Sequence, residues 1–294
     1  MIRECRESDW PAVCEMVAQD RPSLSAGLIL SRLSANSVVF EVGGLIQGVA
    51  ARTAKRVSPT GTKVSAWVYT APPFRHRGIG GALWRRLWPD IVADPPEFIA
   101  TSYRSDTGDA AGFFARRGFK HLVSADCLGY PGNAIDYVPV LKAELYTEQH
   151  FWDFINLANE AFLQLRQENG ILPHLCYPPG FDEKAARHRL MLFREGVFMF
   201  RNQAGATVGY LWIEGPAIDA IAVAPGFTGQ GYGSEIMKYA INLILKHGHS
   251  TVTLEVAQSN QRANKLYDSL GFTLLEAVDE ARMCDVASVV LPTK

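Results

Sequence analysis

A glycine-rich turn separates a predicted strand from a predicted helix in the second half of the chain. The turn reads Gly-Phe-Thr-Gly-Gln-Gly-Tyr-Gly over residues 226–233, directly after Pro225. From Ser234 to His247 apolar residues recur at spacings of three and four, which predicts one face of a helix. The first amides of a helix lack intrahelical partners, and glycines let a ligand approach the backbone closely. The turn therefore predicts a cradle for a phosphate group.

Three kinds of phosphate ligand come into question for this cradle. A P-loop needs a lysine directly before its Ser or Thr, but Ser234 has no lysine before it in the turn, and the next one is Lys238. A dinucleotide-binding turn needs Gly-x-Gly-x-x-Gly in the first strand–helix unit, with an acid about twenty residues on. Glu255 lies near that distance, but the glycines are spaced Gly-x-Gly-x-Gly and lie deep in the chain. The third ligand is the pyrophosphate of an acyl-coenzyme A.

The segment 225–233 resembles motif A of the GNAT N-acetyltransferase superfamily, whose core is Arg/Gln-x-x-Gly-x-Gly/Ala. A second segment resembles motif B of that superfamily through Asn260, Ala263, Tyr267 and the pair Gly271-Phe272. The two motifs are specific at this separation, whereas either alone is weak. One departure is Thr228, which stands where the superfamily usually has Arg or Gln.

The resemblance implies direct transfer of an acetyl group from acetyl-CoA to a primary amine. Tyr267 stands in the place of the general acid, and a phenol with a pKa near 10 can protonate a thiolate whose thiol has a pKa near 8.5. Asp219 stands where many members carry a carboxylate that binds or deprotonates the amine. The resemblance implies no metal, and it implies coenzyme contacts from Ile221, Ala222, Val223, Thr228, Gly229, Gln230, Gly231, Tyr232, Gly233, Ser234, Asn260 and Asn264.

Each of these polar residues also has a purely structural interpretation. Tyr267 lies at helical spacing from Ala263 and Leu270 and could be a core residue. Asp219, expected just before the strand 220–224, could be a strand-end residue that faces solvent. Asn260 could cap the helix that follows it, and capping does not exclude a coenzyme contact.

The first half of the chain repeats the second at an offset of 153 residues. Pro72 then falls on Pro225, Gly78 on Gly231, and the pair 118–119 on the pair 271–272, without a gap. A repeat of this kind predicts two domains in tandem. We therefore predict an α/β (α+β) fold of two GNAT-like domains, 1–132 and 136–294, each a mixed, mostly antiparallel sheet flanked by helices. Within the first, Pro89 is expected to end the helix 81–91 early.

The two halves differ in the residues that could do chemistry. Tyr267 corresponds to Phe114, Asp219 to Ala66, and Asn260 to Thr107. The first cradle, in contrast, fits the family core completely, and it adds predicted phosphate contacts from Arg75, Arg77, Gly78 and Gly80. Our hypothesis is a catalytic second domain and a first domain that binds acyl-CoA or serves structure only. The alternative is a non-catalytic regulatory protein that binds acyl-CoA in one or both cradles.

The composition limits the binding partners and the cellular compartment that are expected for this chain. The chain has 294 residues, 48% hydrophobic and 20% charged, with a net charge of −1, so nothing calls for nucleic acid or an anionic membrane. The charged start does not resemble a secretory signal, and no apolar run approaches the roughly 20 residues that a bilayer needs. Five scattered cysteines without a Cys-x-x-Cys pair indicate a reducing compartment and no structural metal. These patterns predict a cytoplasmic protein.

The acceptor is the least specified part of the sequence. The segment 166–196 is longer than its counterpart in the first half and could line a pocket or form a packed loop and helix. A carboxylate at Asp219 favours a cationic acceptor. The resemblance to tandem members of the superfamily implies a small-molecule amine as the acceptor.

Overall fold

The computed structural model describes residues 1–24, 29, 36–58, 60–107, 110–284 and 286. The chain forms two compact units. Unit 1 comprises residues 1–57, 61–123 and 276–294, and unit 2 comprises residues 58–60 and 124–275.

Unit 1 is a mixed sheet with helices packed against it. Its described elements are β1 (Ile2–Glu4), α1 (Trp10–Ala18), β2 (Ser37–Val42), β3 (Leu45–Arg52), β4 (Arg56–Ser58), β5 (Gly61–Thr70), α2 (Ile79–Val92), β6 (Phe98–Arg104), α3 (Ala110–Ala115), the start of β7 (Lys120–Tyr130) and the end of β13 (Thr273–Cys284). The strand order is β1-β2-β3-β5-β6-β13. The β5–β6 pair is parallel, and the other pairs in this order are antiparallel.

Helix α2 covers one face of this sheet and carries the first cradle at its N-terminus. Its buried side chains, among them Leu83, Trp84 and Leu87, pack with Phe114 of α3 and Met283 of β13. The expected early end at Pro89 was wrong, because the helix continues to Val92. Pro89 lies exposed near the end of the helix, where its missing N–H costs a single hydrogen bond on the solvent side.

Unit 2 repeats the same plan. Its elements are β8 (Lys142–Leu145), α4 (Phe151–Glu168), α5 (Glu183–Leu192), β9 (Val197–Arg201), β10 (Thr207–Glu214), β11 (Ala217–Val223), α6 (Tyr232–Lys246), β12 (Val252–Ala257) and α7 (Gln261–Leu270), with the later part of β7 and the start of β13. The order β8-β9-β10-β11-β12-β7 places one parallel pair, β11–β12, among antiparallel neighbours.

Helices cover both faces of the unit 2 sheet. On one face Ile236, Ile241 and Tyr267 of α6 and α7 pack with strand residues such as Leu254. On the other face α4 and α5 pack over Trp212 and its neighbours. The predicted fold class, mixed and mostly antiparallel sheets flanked by helices, is confirmed.

The two units exchange strands relative to the predicted division at residues 132–136. In unit 1, residues 278–284 of β13 pair with β6, although they come from the far end of the chain. In unit 2, residues 125–130 of β7 pair with β12, although they precede the predicted boundary. Each sheet therefore includes a strand that comes from the other repeat of the sequence.

Among the helices of the described ranges, none is both long and apolar enough to pass through a bilayer. In the same ranges, no group of three or more His, Cys, Asp or Glu side chains is arranged to hold a metal ion.

Candidate active site

The cradle of unit 2 lies at the N-terminus of α6. Gly231 is the N-cap residue, with a φ of 85°, and no side chain caps this end of the helix. Glycine tolerates this left-handed backbone, which residues with a Cβ rarely adopt. The first amides of α6, from Tyr232 to Ser234, therefore have no intrahelical or capping side-chain acceptor and can take an anionic ligand.

A wedge opens beside this cradle between the two parallel strands of unit 2. Strands β11 and β12 pair only at Ala217 with Thr253 and at Ile218 with Leu254. Beyond these pairs the strands continue without pairing to each other, whereas β11 remains paired to β10 as far as Val223. The backbone of residues 221–223 thus borders a gap on the β12 side, where its polar groups can bond to an extended ligand.

Asp219 is the extra residue of a bulge at the point where the wedge begins. Trp212 of β10 pairs with Ala220, and the next residue, Ile213, pairs with Ile218, so that the register shifts by one residue at Asp219. This corrects the expectation that Asp219 precedes the strand, because β11 already begins at Ala217. Bulges redirect side chains and are over-represented next to active sites.

The charge of the Asp219 carboxylate contributes to the raised pKa of two tyrosines. Burial raises the pKa of Tyr177 to about 12, and the charge of Asp219 contributes in the same direction. Burial also raises the pKa of Tyr210 far above its ordinary value, and Asp219 again adds to the effect. Asp219 is itself exposed. A solvent-accessible carboxylate beside aromatic rings is suited to hold an ammonium group.

The segment expected to shape the acceptor site is fixed against this wall. The amide of Asn159 on α4 exchanges two hydrogen bonds with the backbone of Tyr177, at 2.8 and 3.0 Å. Arg166 donates to the carbonyl of Pro173 from both Nε and Nη2. Tyr177 and Phe181 stand edge to face, with ring centroids 5.3 Å apart. The loop is therefore packed and also borders Asp219.

Tyr267 is a buried phenol on α7. Only 6% of its surface is exposed, and its ring lies 5.8 Å from that of Phe272. Burial raises the pKa of Tyr267 to about 12. The side chain therefore stays protonated at neutral pH, as a general acid must before it donates. Burial in the core also fits the structural interpretation, so the role of Tyr267 remains a prediction.

Three further predicted contact residues of unit 2 already have hydrogen-bond partners in the protein. The side chain of Asn260 accepts a hydrogen bond from the amide of Ala263 and so caps α7. The amide of Asn264 donates to the carbonyls of Ala257 and Gln258, at 3.5 and 3.3 Å. The hydroxyl of Thr228 donates to the carbonyl of Pro225 at 2.9 Å. These contacts hold the turns next to the wedge in shape.

The cradle of unit 1 has the same backbone but different side chains. Gly78 caps α2 with a φ of 79°, and no side chain caps the helix. Arg75, predicted to contact phosphate, forms an ion pair with Asp20 at 2.5 Å and donates to the carbonyl of Thr70. The guanidinium carbon of Arg77 lies 5.6 Å from the centroid of the Phe74 ring. Arg75 would have to exchange or share its carboxylate partner to bind a phosphate.

A cavity of about 430 Å³ adjoins the cradle of unit 1. Its wall includes Gly80, Tyr103 and Phe114, and the rings of the last two are stacked 5.1 Å apart. Phe114 is 2% exposed and occupies the position that corresponds to Tyr267. The buried Ala66 occupies the position of Asp219, on β5 just beyond its last pair with β6. The wedge is thus present in unit 1, but its two chemical groups are missing.

The cationic part of this cavity was not predicted from the sequence. Arg116 and Arg117 line it together with Gly81. A comparison of the two repeats could have indicated it, because Arg116 and Arg117 correspond to the uncharged residues Ser269 and Leu270 in the second half.

Comparison with known proteins agrees with this architecture. Residues 145–272 match the Acetyltransferase (GNAT) family. A GCN5-related N-acetyltransferase from Sphaerobacter thermophilus has a TM-score of 0.69 at 17% identity, over 99% of this chain and 96% of that one. A tandem GNAT protein from the clavulanic acid biosynthesis pathway has a TM-score of 0.61 at 14% identity, over 97% and 98%. At these identities the structural matches show the fold alone.

Curated relatives match over shorter stretches. A [ribosomal protein bS18]-alanine N-acetyltransferase from Haemophilus ducreyi is 50% identical over 52 residues, which is 18% of this chain and 36% of that protein. A mycothiol acetyltransferase from Acidimicrobium ferrooxidans is 31% identical over 98 residues, which is 30% of this chain and 32% of that protein. The matched region thus spans about a third of the length of each of these relatives.

The fold of the described residues is that of tandem GNAT structures. The predicted resemblance to the GNAT superfamily is confirmed over residues 145–272, which match the Acetyltransferase (GNAT) family. Acetyl-CoA is the donor that this family uses.

Proposed function

We propose that unit 2 transfers an acetyl group from acetyl-CoA to the primary amine of a small molecule. The observation that carries the proposal is that unit 2 contains both Asp219, at the bulge where the wedge opens, and a protonated phenol, Tyr267, on the helix after β12. Neither group is retained in unit 1. The cradle of α6 supports the proposal because it can hold the pyrophosphate while the thioester lies along residues 221–223.

In this mechanism the amine attacks the thioester carbonyl directly. Asp219 binds the ammonium and accepts its proton, directly or through water, so that the nitrogen lone pair is free. The carbon–sulfur bond then breaks, and Tyr267 gives its proton to the departing thiolate. The amides bordering the wedge hold the donor in place, which removes much of the entropic cost of bringing the two reactants together.

Steady-state thiol release tests this assignment. The full chain is mixed with acetyl-CoA and a panel of amino acids, aminosugars, polyamines and a peptide with an N-terminal alanine, the last because of the relative named for such an acceptor. With an accepted amine, we expect Tyr267→Phe to lower kcat by about 100-fold or more with little change in the KM for acetyl-CoA. Asp219→Asn should raise the KM for the amine and shift the pH profile.

Tyr239→Phe is the matched control, because Tyr239 is also a packed tyrosine of unit 2 and lies against Phe198 and Phe200. It should leave kcat unchanged. Full turnover of Tyr267→Phe at saturating amine would show that Tyr267 is not the acid.

The second candidate function is regulatory binding of acyl-CoA without turnover. It is favoured by unit 1, in which a cradle and a cavity of about 430 Å³ are present without an acid or a carboxylate at the reacting positions. Binding of acetyl-CoA without thiol release for any amine of the panel would support it. Turnover that depends on Tyr267 would contradict it for unit 2.

A further inference from the structure

Arg189 places a positive charge beside the aromatic side chains that border Asp219 in unit 2. It lies in the last turn of α5, it is exposed, and its Cζ lies 4.9 Å from the centroid of the Trp212 ring. In the described part of the chain it forms no ion pair, whereas Arg187 on the same helix is paired with two glutamates. The guanidinium of Arg189 is therefore held over an aromatic ring while its charge stays available to a ligand.

The strand register brings the ring under Arg189 close to Asp219. Trp212 of β10 pairs with Ala220 of β11, which directly follows Asp219 in the chain. Phe154 joins Trp212 and Tyr210 into one packed cluster, because its ring centroid lies 6.2 Å from the first ring and 4.4 Å from the second. The guanidinium over Trp212 and the carboxylate at the bulge therefore border the same aromatic patch.

The phenol of Tyr177 is affected by both charges. Burial raises its pKa to about 12, the positive charge of Arg189 opposes this rise, and the negative charge of Asp219 adds to it. A charge has such an effect on a side chain only when it lies near it. A small molecule that lies against Tyr177 would therefore meet one positive and one negative group of the protein.

This pair of charges has the chemistry that a zwitterion requires. A guanidinium stacked on an aromatic face keeps the N–H groups along its edge, from which it can form two parallel hydrogen bonds with a carboxylate. The carboxylate of Asp219 is suited to an ammonium group, as described above. Arg189 also has a structural interpretation, since a cation in the last turn complements the helix dipole. The two interpretations differ in whether Arg189 affects the choice of acceptor.

We propose that Arg189 binds a carboxylate on the acceptor, and that unit 2 therefore selects small amines of the amino-acid type, which carry a primary ammonium and a carboxylate. This inference rests on the proposed acetyl transfer, because it assigns the acceptor of that reaction. Asp219 holds the ammonium and accepts its proton, while Arg189 holds the carboxylate. No bond to the carboxylate forms or breaks, so Arg189 sets specificity and does not act on the reacting atoms.

The test measures thiol release by the full chain with pairs of primary amines in which a methyl group replaces the carboxylate. The pairs are L-alanine with isopropylamine, β-alanine with propylamine, and γ-aminobutyrate with butylamine, and acetyl-CoA is the donor. We expect kcat/KM to be at least about tenfold higher for the carboxylate member of one or more pairs, the size of one charge-assisted hydrogen bond. The pair with the largest ratio reports the spacing of the two charges that the site accepts.

Variants of Arg189 separate specificity from a structural role. Arg189→Gln should bring the ratio within the pair close to one, and the loss should lie in the KM for the carboxylate member. Arg189→Glu should favour a diamine of the same length over the amino acid, because the reversed charge attracts a second ammonium. Arg194→Gln is the matched control, because it removes the same charge from an exposed position on the turn that follows α5, and it should leave the ratio unchanged.

Equal kcat/KM values within every pair would overturn the proposal and leave the acetyl transfer intact. Equal losses of the ratio in Arg189→Gln and Arg194→Gln would also overturn it, because the preference would then come from net charge. If no amine releases thiol, the proposed transfer itself fails, and saturation-transfer NMR with the same pairs decides on the site. Binding of a carboxylate member that is lost in Arg189→Gln would support the site, and equal or absent binding within the pairs would overturn it.

Discussion

At the scale of single residues, the sequence predicted a role for Asp219 but not its backbone position. The resemblance to the GNAT superfamily implied a role for Asp219 with the amine. Its place as the extra residue of a bulge was not predicted, because a bulge depends on how β11 registers against β10. No local pattern in residues 217–224 reports that register. The structure therefore changes the explanation of why this carboxylate is exposed beside the wedge.

Thr228 provides a residue-scale prediction about the cradle of unit 2. We expect Thr228→Arg to tighten acetyl-CoA binding only a few-fold, because an exposed arginine–phosphate pair contributes about 1 kcal/mol or less. The amides of α6 supply most of the binding, at about 1.5–3 kcal/mol for each hydrogen bond to a charged oxygen. Calorimetry on a Gly78→Val background measures the change, with the neutral Thr228→Gln as control. A gain above about 100-fold would mean that the side chain dominates.

Phe114 provides the complementary prediction for unit 1. Phe114→Tyr should lower the free energy of unfolding by about 1–3 kcal/mol, because the new hydroxyl enters a position that is 2% exposed and packed against Tyr103. It should not create turnover, since Ala66 still offers no carboxylate. Urea unfolding and thiol release measure the two effects. A stable variant with added turnover would show that unit 1 lacks only its acid.

At the scale of elements, the sequence predicted helices and cradles well because their signals are local. The apolar spacing from Ser234 to His247 bounded α6 within a few residues of Tyr232–Lys246. Pro89 misled the prediction for α2, since a proline near an exposed helix end removes one hydrogen bond rather than ending the helix. The cavity of unit 1 was not predictable, because it depends on side chains that lie far apart in the chain.

Glu276 on β13 forms the contact that fixes a distant segment into unit 1. It is fully buried, and its carboxylate accepts from Nε of Arg21 at 2.7 Å and from the hydroxyl of Ser23. We predict that Glu276→Gln destabilises the protein by about 3 kcal/mol or more, because it leaves the buried charge of Arg21 without its partner. Urea unfolding at neutral pH provides the measurement.

Two comparisons make this prediction specific. Glu280→Gln removes a charge from the same strand that forms no ion pair with another described residue, and it should change stability by about 0.5 kcal/mol or less. The double variant Arg21→Met/Glu276→Leu should regain much of the lost stability, since apolar residues of similar size can replace a buried ion pair. Equal stability of Glu276→Gln and Glu280→Gln would show that the buried pair makes no net contribution.

At the scale of the whole molecule, the repeat predicted two similar units but not which strands belong to each. The segments after the pairs 118–119 and 271–272 look alike. Their offset of 153 residues would be the same whether each of these strands pairs within its own repeat or with the other repeat. Only the pairing of β13 with β6, and of β7 with β12, decides this. Such long-range pairing leaves no local trace in a sequence.

The exchanged strand leads to a prediction about fragments. A chain of residues 1–132 lacks Ala281 and Met283, which are buried in the core of unit 1, and leaves the edge of β6 unpaired. We expect this fragment to aggregate, because an exposed apolar strand edge pairs with other chains. Residues 1–123 joined by a flexible linker to residues 276–294 should instead give a soluble, cooperatively folded unit, since the missing strand is restored.

Size-exclusion chromatography and thermal unfolding distinguish the two fragments. The same joined fragment with Met283→Asp serves as the control, because a charge at a fully buried position should abolish the rescue while leaving the length and linker unchanged. A monomeric 1–132 fragment with a cooperative transition would show that unit 1 folds without the exchanged strand. In that case the strand would complete the sheet of an already stable unit, and the buried pair of Glu276 and Arg21 would be dispensable for its folding.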